Sequence, residues 1–165
     1  MNLRIELKYA VLITLLMLLW LSAEFMVGLH EGDLIAYHPY VTILAVFIPI
    51  VCTVLAIREK RELYNGSISF QQALVSGLVI TGICTLTAPI VQWVFSNLIY
   101  PDFFTNMIDY AVARAKLYNA DSAQSRELAE QYINAKSYTI QSVIGTAFIG
   151  TLTSVAVAIV NRSKK

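Results

Sequence analysis

The chain has 165 residues, about the size of one domain, and a formal net charge of +1. Its residues are 57% hydrophobic and 14% charged, whereas soluble globular proteins average roughly 25% charged residues. This composition excludes an ordinary soluble domain, and the near-neutral charge excludes a basic field that would attract nucleic acid. We therefore expect the lipid bilayer to be the main partner of the chain.

Four apolar runs are long enough to cross a bilayer, which takes about 20 mostly apolar residues per helix. None of them alternates with a period of two, as membrane strands do. We place the spans at about residues 9–29, 40–57, 70–100 and 138–160. The first run is interpreted as a retained helix, because its apolar core exceeds the roughly 7–15 residues of a signal peptide. The predicted fold is all-α: one domain, residues 1–165, forming an integral membrane four-helix bundle.

Basic residues are concentrated on one side of the predicted spans. Lys and Arg collect in cytoplasmic loops, and the first outer loop, residues 30–39, contains neither. We therefore predict that both termini lie in the cytoplasm. Cations near anionic lipid also hold the chain in this orientation. The proposed topology anchors are Arg58, Lys60, Arg61, Arg162, Lys164 and Lys165.

The segment between the third and fourth spans, residues 101–137, is the largest water-facing region that we predict. Apolar residues recur at helical spacing on both sides of a break at 119–121. This pattern predicts an amphipathic helical hairpin on the outer face, and we expect its second helix to continue directly into the last span. The hairpin is interpreted as a cap on the bilayer surface or on the bundle, or alternatively as a partner-docking or gating element.

Small residues recur every four positions on the third and fourth spans. Such stripes let helix backbones approach closely in lipid, which offers no hydrophobic drive for association. We predict that the two spans pack through these faces, and the alternative is that one stripe faces a second copy of the chain. The residues assigned to helix packing are Gly77, Thr81, Thr85, Thr146, Gly150 and Ser154.

Glu24 is the one acidic residue inside the predicted first span, and Gln92 and Gln141 fall at a similar outer depth. An ionisable group inside a membrane helix is a functional hypothesis by default. The three residues form our candidate polar intramembrane site, an outer-facing pocket between helices. The alternative is that each makes a separate interhelical hydrogen bond.

Motifs for known chemistry are missing from the sequence. His30 and His38 are eight residues apart, across a glycine and before a proline, unlike the paired histidines of a zinc hydrolase helix. We therefore predict no metal site, no catalytic residues and no cofactor. Cys52 and Cys84 lie in apolar runs and are interpreted as packing residues.

The order of segments resembles a family of small bacterial membrane proteins, found largely in the Bacteroidetes, called domain of unknown function 4199 (DUF4199). The features that carry the resemblance are the basic turn leading into Gly66-Ser-Ile-Ser-Phe-Gln-Gln-Ala-Leu-Val-Ser-Gly77 and the end of the third span, Ile99-Tyr-Pro-Asp-Phe103. The resemblance implies no activity and no site residues. It implies a bacterial inner membrane, with the outer side in the periplasm.

Two functions are consistent with these features. The first is a non-enzymatic accessory or interaction subunit, which the small-residue stripes, the outer hairpin and the missing catalytic motifs favour. The alternative is a small transporter or channel, which the polar outer residues and the proline at position 89 favour, because carriers build sites at broken helices. We expect either a homo-oligomer or a membrane protein partner.

Overall fold

A computed structural model describes residues 3–161, and within that range every regular element is a helix. In chain order the α-helices are α1 Arg4–Met26, α2 His38–Thr42, α3 Phe47–Leu63, α4 Phe70–Val94, α5 Phe103–Lys116, α6 Ser122–Tyr132 and α7 Ala135–Asn161. Four helical segments are long and apolar enough to cross a membrane: Arg4–Met26, Leu34–Leu63, Phe70–Ile99 and Ala135–Asn161. The prediction of an all-helical chain with four such segments is confirmed.

The second segment differs most from its predicted range. Short 3₁₀ turns, Gly32–Tyr37 and Ile43–Val46, flank α2 before the long helix α3 begins. Pro49 explains the second turn, because a proline has no N–H to donate to the carbonyl four residues earlier. At its other end α3 continues to Leu63, so the basic residues that we placed in a turn lie on the helix.

The surfaces of the four segments are suited to lipid. In the most apolar window of each segment only 22–28% of the residues are buried. Leu19 on α1 and Leu86 on α4 are 64% and 78% exposed. Soluble monomers rarely expose contiguous apolar surface on this scale, whereas a membrane helix must present it to the lipid tails. The structure therefore indicates a multi-pass membrane protein.

The helices α4 and α7 pack closely through their small residues. A Cβ atom added to Gly150 would lie 2.5 Å from Thr81 Cγ2, and one added to Gly77 would lie 2.7 Å from Ser154 Cβ. The Thr81 and Ser154 hydroxyls are 3.2 Å apart and share a hydrogen bond. The six stripe residues are all buried or half-buried: Gly77, Thr81, Thr85, Thr146, Gly150 and Ser154.

The helix α1 contacts α3 and α4, and α7 also contacts α3. A buried polar cluster joins three of these helices at the end where the chain begins. Lys60 on α3 forms an ion pair with Glu6 on α1 and donates a hydrogen bond to Ser76 on α4 over 2.6 Å. The Ser76 hydroxyl also donates to Glu6 Oε1 over 2.6 Å. We call Glu6, Lys60 and Ser76 the inner cluster.

The inner cluster changes the interpretation of one predicted topology anchor. The Lys60 side chain is only 8% exposed, so its charge is balanced inside the protein rather than presented to lipid headgroups. Arg58 and Arg61 are exposed at the same end of α3. The other proposed anchors, Arg162, Lys164 and Lys165, lie outside the described residues.

The outer segment forms two helices, α5 and α6, that contact each other. Arg126 Nη2 on α6 lies 2.5 Å from Asp109 Oδ1 on α5 and forms an ion pair with it. Our expectation that the second helix continues into the last span is wrong. Ile133 leaves the helical conformation, with φ −100° and ψ 80°, and the Asn134 side chain accepts a hydrogen bond from Ser137 N at the start of α7. Asn134 therefore begins a new helix.

Candidate functional site

The outer end of α1 turns back sharply at Gly28. The backbone N–H of Gly28 donates to Phe25 O, and that of Leu29 donates to Glu24 O. This pair of bonds is a Schellman cap, in which the residue after the helix adopts a left-handed conformation that favours glycine. Gly28 has φ +77°. The cap reverses the chain so that His30 lies beside the side chain of Glu24.

The Glu24 carboxylate is held by two hydrogen bonds to one of its oxygens. Trp20 Nε1, one turn earlier on α1, and Thr42 Oγ1, at the end of α2, each donate to Glu24 Oε1 over 2.7 Å. The second oxygen, Oε2, faces two imidazoles: His30 Nε2 at 3.8 Å and His38 Nε2 at 3.7 Å. We call Glu24, His30 and His38 the outer cluster.

His30 is enclosed by aromatic rings. The rings of Phe103 and Phe95 have their centroids 5.4 and 5.5 Å from that of His30, and the His38 ring is 4.6 Å away. A π-helical turn, Phe95–Ile99, positions two of the aromatic side chains near His30, those of Phe95 and Tyr100. In this turn the backbone N–H of Tyr100 donates to Phe95 O, five residues earlier. Such π-turns occur frequently at functional sites.

The outer cluster contains buried polar atoms without hydrogen-bond partners among the described residues. They are Glu24 Oε2 and both ring nitrogens of His30. The His30 and Glu24 side chains are 0% and 2% exposed, so water does not satisfy these atoms from the surface. Burial, with the neighbouring His38, lowers the pKa of His30 to about 4.

A cleft of about 930 Å³ opens on the outer face between the first outer loop and α5. Its lining includes His30, Glu31, Asp109, Arg114 and Tyr118. The loop and the start of α5 are tied together below this cleft. Tyr100 OH donates to Glu31 Oε1 over 3.0 Å, and Asn106 Nδ2 donates to the same hydroxyl.

The two glutamines of the predicted polar site lie at a second cavity, of about 430 Å³, among the four membrane segments. Gln92 Nε2 is buried there without a partner among the described residues. Thr42 lines this cavity and donates to Glu24, so it adjoins both sites. The residues that line this cavity include Gln92 and Gln141 but not Glu24. That the three residues share one pocket stays a prediction.

Comparison with known proteins identifies the family of the chain. A family model described as "Protein of unknown function (DUF4199)" matches residues 8–163, nearly the whole chain. The chain belongs to the DUF4199 family. Searches of curated proteins and of solved structures found no match.

The outer cluster of this DUF4199 protein was not predicted from its sequence. We discounted the histidines because eight residues separate them, and we assigned Glu24 to a pocket with the glutamines. The missed signal was Gly28, four residues after Glu24 and two before His30. A glycine just past an apolar helix end predicts a cap that reverses the chain, and this reversal brings residues 24 and 30 together.

Proposed function

We propose that this DUF4199 protein is a non-enzymatic accessory subunit of the bacterial inner membrane, a four-helix bundle whose outer hairpin binds another membrane protein. The observation that carries the proposal is apolar exposure outside the membrane segments. Leu117 and Tyr118, at the turn after α5, are 81% and 75% exposed. Both residues line the outer cleft. Exposed apolar side chains on a span face lipid, whereas neighbouring ones on a water-facing hairpin favour an interaction surface.

The inner-membrane orientation rests on the two ends of the structure. The start of α1, the end of α3 and the end of α7 share one end, where Ile57 and Ile68 pack against Val157 and Ala158. Because basic residues collect there, we assign that end to the cytoplasm. A fluorescent protein fused after residue 165 should fluoresce, and alkaline phosphatase inserted at Asn119 should be active. The reverse pattern would contradict this orientation.

Photo-crosslinking tests the accessory role. A benzophenone amino acid is placed at Tyr118, with Leu152, a 54% exposed residue of α7, as the lipid-facing control. We expect position 118 to crosslink to one protein, which also co-purifies with the unmodified chain. Both the crosslink and the co-purification should be lost in Leu117→Asp. A crosslink to phospholipid alone, or to a second copy of the chain, would contradict the accessory role.

A transporter or channel is the second candidate, and the cavity among the membrane segments favours it. Residues from all four segments line this cavity, including Cys84 on α4. If it conducts a polar solute, a membrane-impermeant thiol reagent should label Cys84 in a Cys52→Ala variant. Absence of labelling in intact cells, with full labelling after denaturation, would contradict this candidate.

A further inference from the structure

We propose that Glu24, His30 and His38 form a binding site for a divalent first-row transition metal ion, with Zn²⁺ as the best-matched occupant. This inference does not depend on the accessory role, because it concerns the outer cluster alone. Two imidazole nitrogens and one carboxylate oxygen are a ligand set that zinc uses in proteins.

The spacing of the donor atoms fits a metal ion. One ligand atom from each side chain can be chosen so that all three lie within 4.8 Å of one another. Around a tetrahedral zinc ion, ligands at about 2.0–2.1 Å lie about 3.3 Å from each other. Glu24 Oε2 is 3.7 and 3.8 Å from the two histidine Nε2 atoms. A contraction of a few tenths of an ångström therefore brings these pairs to the ligand spacing.

The buried atoms without hydrogen-bond partners support the proposed metal site independently of the spacing of the donor atoms. A buried polar atom without a hydrogen-bond partner destabilises the folded state, and native proteins contain few of them. Here Glu24 Oε2 and the His30 nitrogens are such atoms, and Oε2 faces both imidazoles. A metal ion at their centre would satisfy Oε2 and one nitrogen of His30 together.

The surroundings of the cluster resemble the support that metal ligands need. The bonds from Trp20 and Thr42 occupy Glu24 Oε1 and leave Oε2 for a single metal bond. Groups that orient a ligand in this way commonly tune metal affinity. The aromatic rings around His30 hold its imidazole in place and keep water away.

Three protein ligands would leave a fourth position open, as in zinc sites that bind water or a substrate. His30 borders the outer cleft but is fully buried, so an ion from the outer side would enter past the more exposed His38. His38 is 18% exposed and gives the cluster its remaining contact with solvent.

The test is Zn²⁺ binding by the full-length protein, purified in detergent with a tag that contains no histidine and stripped with a chelator. Competition against a chromophoric zinc chelator gives the affinity, and elemental analysis after dialysis gives the stoichiometry. We expect one Zn²⁺ per chain. Glu24→Gln, His30→Phe and His38→Gln should each lower the affinity by at least about 100-fold, more than the loss of a supporting group.

Glu31→Gln is the matched control, because Glu31 lies next to His30 and lines the same cleft. It should bind Zn²⁺ like the unmodified chain. Co²⁺ supplies a second measurement, since imidazole and carboxylate ligands should give visible absorption bands that the ligand variants lose. Thermal unfolding separates loss of binding from loss of fold: Zn²⁺ should raise the Tm of the unmodified protein and of Glu31→Gln, but not that of folded ligand variants.

Two results would overturn the proposal. One is a folded, unmodified protein that takes up no Zn²⁺, Co²⁺ or Mn²⁺ at micromolar concentrations. The other is binding that is equally strong in Glu24→Gln and His30→Phe, which would place the ion elsewhere on the chain. A strong preference for Mn²⁺ over Zn²⁺ would overturn the assignment of the occupant.

Discussion

Each end of α1 carries one buried acidic residue, and the two residues have different partners. Glu6 and Glu24 are 1% and 2% exposed. In each carboxylate, one oxygen accepts two hydrogen bonds, and the other oxygen has no hydrogen-bond partner among the described residues. At the inner end a lysine balances the carboxylate. At the outer end two imidazoles face it. The charge of the inner carboxylate is therefore balanced by a lysine of the same chain, whereas the outer cluster has room for a cation from solution.

The largest expected effect comes from removing the lysine of the inner cluster. Lys60→Met leaves Glu6 buried without a counter-charge, and breaking a buried pair costs about 3–5 kcal/mol. The free energy of unfolding in mixed detergent micelles should fall by that amount. The double variant Glu6→Gln/Lys60→Met should recover most of it, because replacing a whole buried pair is often close to neutral. Equal losses of unfolding free energy in both variants would show that the unbalanced charge of Glu6 is not the cause of the loss.

The variant Gly150→Ala tests whether Zn²⁺ binding at the outer cluster depends on the overall stability of the fold. In Gly150→Ala the new Cβ would lie 2.5 Å from Thr81 Cγ2, so either the Thr81 side chain or the two helices α4 and α7 must shift. Overpacking of this kind costs about 1–3 kcal/mol. Gly145→Ala on the same helix is the control, because a Cβ there has no atom within 4 Å. Zn²⁺ affinity should stay unchanged in both variants, and a parallel loss in Gly150→Ala would mean that the two regions are coupled.

The residues that orient Glu24 give a smaller and more selective effect. In Thr42→Val and Trp20→Phe one donor to Glu24 Oε1 is lost, while the outer cluster keeps its three ligands. Loss of such a supporting group lowers metal affinity by about 10–100-fold. Competition with a chromophoric chelator measures this change. Serine at position 42 keeps the hydroxyl, so Thr42→Ser should retain the affinity, and a loss there would argue against the role of this hydrogen bond.

The sequence predicted the parts of this fold that depend on local pattern. Apolar length predicts the four segments, and the small-residue stripes predict where α4 and α7 approach, because both signals repeat along one helix. These features need no knowledge of how distant parts of the chain meet.

The two polar clusters depend on tertiary contacts, and neither was predicted from the sequence. Lys60 looked like a surface anchor because neighbouring basic residues surround it, and only the approach of α1 reveals Glu6 as its partner. His38 reaches Glu24 through a 3₁₀ turn that no periodic pattern marks. The end of α6 was also missed, because Ile133 and Asn134 break the helix through a local conformation and a side-chain cap.

The smallest expected effect on stability comes from an exposed ion pair. Arg126 and Asp109 join α6 to α5, but their side chains are 49% and 54% exposed. Solvent screens such pairs, and they contribute less than about 1 kcal/mol. Asp109→Asn should therefore leave the Tm within about 2 °C of the unmodified value at moderate salt. A larger loss would mean that the hairpin supports the cleft and the outer cluster beneath it, and Zn²⁺ affinity measured on the same variant would separate that support from a local change in α5.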